Sequence, residues 1–537
     1  MLRGRVKAAV LVVLAVPLVL GAHQPASTSF DGFDAFDAFV AGVMREWKVP
    51  GVAVAAVRDG TVVLSKGYGY RDVEKQLPVT PRTLMAIGSN SKSFTVTLMG
   101  MLSDEGKLDW DKPVRTYLPD FELFDEVSAR LMTPTDLVTH RSGLPRHDSM
   151  WFGRTFTRKE LYQRLRYLEP SATFRQRYQY NNLMFMTAGV LLEQNTGKSW
   201  DDLIDQRIFE PLGMSRSNTS VRDLPASDNA ALPHMERDGQ VVAVPYRNID
   251  AVGPAGSINS SVEEMLPYIR MHIDQGMYNG KPLLSKRFAL RMQSPSSAPA
   301  VNLDPDAPRF AEIVPGGYGL GVAISSYRGH KLVEHSGGID GFISAMSWMP
   351  DDRIGVMVLS NYSGVNPVPA IVMRNAYDRL LGLDQIDWVA RQRTVLAYAD
   401  KRQKERERER EAERVAGTSP SHPLSDYAGT FEHPGYGVVR IAHENGGLVF
   451  MLDAFTVPLE HFHYDVFRRV KNGTRSPIDD ARLSFSYGAN GKVESVSIPL
   501  EPAAPEIVFK RKPAPVKSTS SLDSARDDPE PAEGSNQ

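Results

Sequence analysis

Ser89-Asn90-Ser91-Lys92 sets a hydroxyl and an amine three positions apart. On a helix, residues i and i+3 share a face. The amine then comes within hydrogen-bond reach of the hydroxyl, which is what turning a serine into a nucleophile requires. A helix N-terminus also supplies partial positive charge for a developing oxyanion. The run Phe94 to Leu102 carries the helix on into a core. Ser91 lies two residues from Ser89, so on a helix it points about 200° away. By itself the string is weak. Ordinary composition yields such a pair about twice in a chain of this length, and a capping serine beside a surface lysine looks the same.

Two further strings change that. Tyr180-Asn181-Asn182 puts a phenol and an amide two positions apart, just ahead of a very apolar stretch. A phenol beside a serine–lysine pair can share or relay the proton, and an amide can orient the amine or a substrate carbonyl. Tyr246-Arg247-Asn248 has the same spacing and competes for the part. His335-Ser336-Gly337-Gly338 is a strand-like stretch running into glycines. Glycine lets a ligand approach the backbone, so an N–H there can serve an oxyanion hole. His433-Pro434-Gly435 repeats the short pattern, but its proline has no N–H to offer.

In this order the strings resemble the signature of the serine β-lactamase and penicillin-binding-protein superfamily: Ser-x-x-Lys, Tyr-x-Asn, then Lys/His-Ser/Thr-Gly. The resemblance covers residues from about 35 to 385. It is nearest to the class C β-lactamases and their esterase, D-aminopeptidase and D-alanyl-D-alanine carboxypeptidase relatives. Flanking phrases share it: Leu137-Val138-Thr139-His140-Arg141-Ser142-Gly143-Leu144-Pro145, Pro211-Leu212-Gly213-Met214 and Gly338-Ile339-Asp340-Gly341-Phe342. The step of 91 residues from Ser89 to Tyr180 suits that family, whereas the 157 from Ser89 to Tyr246 are long for it.

The resemblance implies a serine hydrolase that forms an acyl-enzyme on an ester, amide or D-amino-acid peptide. Ser89 would be the nucleophile. Lys92 would be its base, or would hold Tyr180 as phenolate. Asn182, His335, Ser336 and Gly337 would contact the substrate, and the N–H groups of Ser89 and Gly338 would form the oxyanion hole. No cofactor and no metal are implied. A non-catalytic or penicillin-binding sensor protein on the same fold is the alternative. His335 stands where true β-lactamases usually carry lysine. Lysine is a permanent cation, whereas histidine is near neutral at pH 7, so the expectation moves from penicillins towards esters or peptides. The class A deacylation segment Glu-x-x-Leu-Asn is missing from the sequence, which leaves deacylation to the tyrosine and lysine.

These residues need a scaffold. Gly51 to Arg58 reads as a buried strand, Asp59-Gly60 as a hairpin turn, and Thr61 to Lys66 as the returning strand. From about residue 80 to 280 the pattern is mostly helical. Thr133-Pro134-Thr135-Asp136 is a helix start, and residues 183–194 are apolar nearly all round, as a buried helix is. Strand signals return at Tyr318 to Tyr327, Phe342 to Met349 and Ile354 to Leu359. The expected fold class is α+β: an antiparallel sheet flanked by helices plus an all-helical subdomain, of the β-lactamase/transpeptidase kind, over residues 30–390.

A charged helical linker follows at 391–420, where Glu405 to Arg410 alternate in sign. Alternation puts opposite charges at i+3 and like charges at i+4, a mixed contribution to helix stability. Residues 421–512 carry alternating strands punctuated by Asn445-Gly446, Asn472-Gly473 and Asn490-Gly491, the mark of a small antiparallel β-barrel. Tyr427 to Phe431 and Pro434 to Gly437 make this part similar to the lipocalin-like C-terminal domain of some of these hydrolases. Residues 513–537, rich in Pro, Ser, Asp and Glu, read as a disordered tail.

Of 537 residues, 42% are hydrophobic and 23% charged, which excludes a wholly disordered chain, a collagen and a multi-span membrane protein. The net charge of −2 steers nothing towards nucleic acid. With no cysteine, disulfides, thiolate zinc sites and cysteine nucleophiles are excluded. Arg3, Arg5 and Lys7, the apolar run Ala8 to Ala22 and the small pair Gly21-Ala22 read as a signal peptide over 1–22. The expected location is therefore the periplasm or the exterior, with no stable membrane span after cleavage. The expected partner is a small-molecule or peptide substrate, and oligomeric state is left open. His461 and His463 could share a strand face, but zinc wants three or four ligands. Gly67-Tyr68-Gly69-Tyr70 reads as a glycine–aromatic strand and no phosphate loop, and His140 as a turn or supporting residue.

Overall fold

A computed structural model describes residues 31–299, 302–470 and 476–513. The signal peptide expected at 1–22, the turn Asn472-Gly473 and all but the first residue of the expected tail lie outside the described residues.

An eight-stranded antiparallel sheet forms the centre of the larger part. Its strands are β1 (Gly51–Arg58), β2 (Thr61–Asp72), β3 (Leu77–Pro78), β4 (Ile313–Tyr318), β5 (Ala323–Tyr327), β6 (His330–Ile339), β7 (Phe342–Met349) and β8 (Ile354–Ser360). The order across the sheet is β4-β5-β6-β7-β8-β1-β2-β3. Chain segments from both ends of the region therefore meet at the β8–β1 pair, where Val54 faces Val358. β1 is the hinge of the whole packing. Successive side chains of a strand point to opposite faces. Val52, Val54 and Ala56 accordingly pack with Phe36, Val40, Ile371 and Val372 of the two terminal helices, Phe36–Glu46 and Val368–Leu380. Ala53, Ala55 and Val57 pack on the other face with Phe94, Met265 and Ile269.

Asp59 and Gly60 both take positive φ, 50° and 78°, as a type I′ hairpin turn requires. The stretch from Tyr318 to Tyr327 is two strands instead of one. Gly321 has φ +73°, and a β-carbon on Gly319 would lie 2.3 Å from the Met292 carbonyl oxygen. That close approach breaks the run and folds it back on itself.

The helical subdomain lies in chain order between β3 and β4. The helix Asn182–Thr196 is buried over most of its surface, is capped by Asn181, which accepts a bond from the Met184 N–H, and stops at Gly197 with φ 70°. Thr133 caps Pro134–Leu137 in a reciprocal capping box with Asp136. The buried Asp136 carboxylate also receives Arg141 at 2.7 Å and Arg175 at 2.6 Å, fixing the loop that follows.

The smaller part is a closed eight-stranded barrel between Gly429 and Arg511, closed by pairing of Phe431 with Arg511. Its interior holds Phe431, Phe450, Phe467, Phe485 and Phe509, all buried. The two parts are joined by a helix spanning Trp388–Ala412, of which only Trp388 is buried. Arg391 and Arg393 tie its start to Glu312 and Glu46 at 2.7 Å. Arg410 pairs with Asp480 at 2.6 Å, and Glu411 pairs with Arg468 at 2.5 Å, both at the barrel. Among the described residues no helix is long and apolar enough to cross a membrane.

Candidate active site

Ser89 occupies a 3-10 turn, Gly88–Asn90, which runs directly into the helix Ser91–Asp104. Lys92 lies one turn on and is fully buried. Its Nζ is 3.1 Å from Ser89 Oγ, 2.8 Å from Asn182 Oδ1 and 2.7 Å from the Ala255 carbonyl. Burial holds the ammonium well below the ordinary lysine range, the Arg146 charge adds to this, and Asp148 opposes it. In the neutral amine two N–H bonds satisfy Asn182 and Ala255. The lone pair is then left for the Ser89 hydroxyl proton.

Ser89 also acts on the Tyr180 phenol, whose ring centre lies 4.8 Å from Lys92 Nζ. Burial pushes its phenol well above the ordinary value, more than the bond to Ser89 lowers it. The group is therefore a proton donor and no phenolate. Tyr246, the rival, donates to the Ala231 carbonyl at 2.8 Å and stacks on Phe342. Asn248 of the same string turns to Asp250. Ser91 is buried, donates to the Gly88 carbonyl at 2.8 Å and accepts the Ile258 N–H at 3.1 Å.

Strand β6 reaches past β5, whose last partner on it is Glu334. On that side His335 to Ile339 form an unpaired edge beside the Ser89 turn. Gly337 has no room for a side chain: a β-carbon there would lie 1.9 Å from the Ile87 carbonyl oxygen. Ser336 and Gly338 are exposed. His335 is buried, with Nδ1 donating to the Ser336 carbonyl at 2.6 Å and Nε2 accepting from Tyr318 at 3.2 Å. Burial depresses this imidazole to about 3, with the Lys92 charge adding to the effect. It is therefore neutral, and both nitrogens are engaged inside the protein, so no permanent cation stands here.

The structure adds Arg146 and Asp148, which the sequence did not single out, beside the supporting residue His140. Asp148 accepts Asn182 Nδ2 at 3.0 Å and Trp151 Nε1 at 2.8 Å, and pairs with Arg146 at 2.6 Å. The Arg146 guanidinium lies 4.9 Å from the Tyr180 ring centre. His140 is buried with φ +59°, accepts the Asn181 N–H at 3.0 Å and packs 4.3 Å from the Tyr180 ring. Tyr318 closes the same cluster at 4.8 Å from His140. His140, Arg146 and Asp148 sit in or next to the phrase Leu137 to Pro145, which was the signal available for them. His461 turns to the Tyr464 carbonyl and His463 to the Val415 N–H. Among the described residues no three His, Asp or Glu side chains gather as metal ligands.

Two sequence families divide the chain. Residues 36–377 match the pattern of the family described as Beta-lactamase, and 413–511 that of a domain of unknown function, DUF3471. An unguisins hydrolase of Aspergillus campestris (strain IBT 28561) is 30% identical over 429 residues, covering 74% of this chain and 75% of that protein. The octameric penicillin-binding protein homologue from Pyrococcus abyssi is 25% identical with a TM-score of 0.56, over 89% of this chain and 99% of that one. A D-amino acid amidase from Ochrobactrum anthropi SV3, 23% identical with a TM-score of 0.54, shares the fold over 66% of this chain and 98% of its own.

Proposed function

Because the chain belongs to the beta-lactamase family of serine hydrolases, we propose that it cleaves its substrate through an acyl-enzyme on Ser89. The observation that carries this is the buried Lys92 amine, held by Asn182 and the Ala255 carbonyl and directed at Ser89 Oγ. Ser89 Oγ attacks the substrate carbonyl as Lys92 takes its proton. The oxyanion that forms is met by the N–H groups of Ser89 and Gly338. The Tyr180 phenol passes a proton to the departing alcohol or amine and takes one back from the Lys92 ammonium, which returns to the neutral amine. Water then enters where the leaving group stood. Lys92, neutral again, takes its proton and hands it to Ser89 Oγ as the acid product leaves. The depressed lysine and the raised phenol both support Lys92 as the first base.

The substrate class that fits is an ester, an amide or a D-amino-acid peptide. The neutral His335 supports this over a penicillin, since it offers no fixed charge to a carboxylate. The relatives, an unguisins hydrolase and a D-amino acid amidase, point the same way. The protein works outside the cytoplasm after removal of about 22 residues, as the basic, apolar and small segments at its start suggest. N-terminal sequencing that finds Met1 on cytoplasmic protein overturns that part.

Intact-mass spectrometry after a fluorophosphonate probe tests the chemistry. One adduct on Ser89, lost in Ser89→Ala, is expected. A panel of short-chain esters, nitrocefin and D-amino-acid peptides then sorts the substrate. A penicillin adduct without turnover of any of these marks a binding protein instead.

A further inference from the structure

We propose that the C-terminal barrel is a positioning domain for Lys92: one rim of it clamps the segment 146–156, so that Asp148 holds Asn182 and, through it, the lysine. The inference rests on the acyl-enzyme reading above.

In an antiparallel barrel of consecutive strands, successive turns alternate between the two rims. The turn after His433, the turn after Leu452 and the loop after Ile498 therefore share one rim, and all three touch the larger domain. Arg164 donates to the Pro434 carbonyl at 2.7 Å. Arg154 donates to the Tyr436 carbonyl at 2.7 Å and pairs with Asp453 at 2.7 Å. Phe152 stacks on Phe455, and Ser149 donates to the Leu500 carbonyl at 3.2 Å. At the other rim the side chains of Tyr427, Asp465 and Tyr487 bond one another and Ser421 or His422, all within residues 421–512.

The clamp closes on His147. Its backbone N–H donates to Glu501 at 2.7 Å. Its Nε2 donates to the Glu169 carbonyl at 3.1 Å, so Nδ1 is the acceptor for the Tyr436 hydroxyl at 2.6 Å. The ring is neutral, burial having pushed it down to about 4. His147 also has φ +48°, a left-handed conformation that is uncommon outside glycine. Two barrel side chains are among its surroundings. On either side of His147 stand Arg146 and Asp148, the two residues whose charges act on Lys92. The other titratable groups that face the lysine are Tyr180, His140 and His335, and burial keeps all three neutral. Arg146 and Asp148 are thus the charges that a loosened clamp displaces.

The test is the pH profile of kcat/KM for a short-chain nitrophenyl ester, on the full chain, beside fluorophosphonate labelling of Ser89. Tyr436→Phe is expected to lower kcat about tenfold with KM little changed. It should move the acid limb up by about half a pH unit, because Arg146, which lowers the lysine more than Asp148 raises it, is withdrawn together with Asp148. Asp148→Asn, which removes the anion alone, should move the limb down, and in the double variant the limb should stand where Tyr436→Phe alone puts it. Tyr427→Phe, at the far rim, should leave the limb in place. If Tyr436→Phe does not fold, Glu501→Gln carries the test with a smaller shift of the same sign. An unmoved limb, or shifts that simply add in the double variant, overturns the clamp. Failure of the wild-type protein to label at Ser89 overturns the acyl-enzyme reading instead. Normal labelling with an unmoved limb sinks the clamp alone.

Discussion

A β-carbon on Gly88 would stand 2.7 Å from the backbone nitrogen of Gly338. The Ser89 turn and the edge of β6 therefore meet backbone to backbone, which brings the two N–H groups proposed as an oxyanion hole together. Gly88 also has φ +55°. Gly88→Ala should therefore strain the turn and push it off the strand. Loss of one oxyanion donor typically costs about 10²–10³ in kcat, and that range is expected, with KM changed far less. Steady-state kinetics beside a melting curve separates this from unfolding.

Ser89 and Ser91 provide a matched pair. Ser89→Ala should abolish covalent labelling, and Lys92→Ala should cost nearly as much, since members of one proton-transfer unit are not additive. Ser91→Ala should keep the label and much of the turnover. It removes two buried hydrogen bonds, so a loss of about 1–3 kcal/mol of stability is expected from the donor left unpaired. A labelled Ser89→Ala protein defeats the assignment.

The two tyrosines differ in the same way. Tyr180→Phe should lower kcat by about 10²-fold or more, the usual contribution of a positioned acid or base. Tyr246→Phe loses only the bond to the Ala231 carbonyl and should cost stability and little rate. The reverse result would mean the wrong tyrosine has been chosen.

Activity should rise from mild acid towards neutral pH and above, because Lys92 must be unprotonated to act. Stability should follow the same direction for another reason. His272 and His335 are buried and depressed to about 3, from an ordinary 6.5. Below pH 6.5 the unfolded chain binds protons that the folded one refuses. Stability is thus complete above 6.5 and is lost progressively as pH falls towards 3. The slope reaches about 1.4 kcal/mol per pH unit for each such histidine. Urea unfolding at pH 7 and pH 5 checks this, and equal midpoints would refute it.

Much of the site was legible because its chemistry sits in short strings. Ser89 and Lys92 share a helix turn, Tyr180 and Asn182 open a helix, and Gly337 and Gly338 end a strand, so local spacing carries the geometry. Asp148 was not legible. Its role comes from Asn182, 34 residues away in sequence, and from Trp151, and nothing in the pattern of a loop announces such partners. His335 stands in the third of these strings, but its neutrality depends on Tyr318 and on burial. The run from Tyr318 to Tyr327 misled because its composition suits a strand throughout. The obstacle at Gly319 is a carbonyl from residue 292, which only the folded chain supplies. The α+β class and the barrel followed from periodicity and turn residues, but the seating of one upon the other did not.

The helix Trp388–Ala412 has 25 residues and so spans about 37 Å. It is pinned at its start to the sheet domain and at its end to the barrel. Such a strut acts as a gauge. Each inserted residue would lengthen it by about 1.5 Å and turn everything beyond it by about 100°, carrying the rim with Tyr436 and Glu501 off its seat. The exposed face of this helix is free to exchange one charged residue for another, whereas its length is tied to the seating of the barrel. Drift in this segment should therefore appear as substitutions and almost never as insertions or deletions.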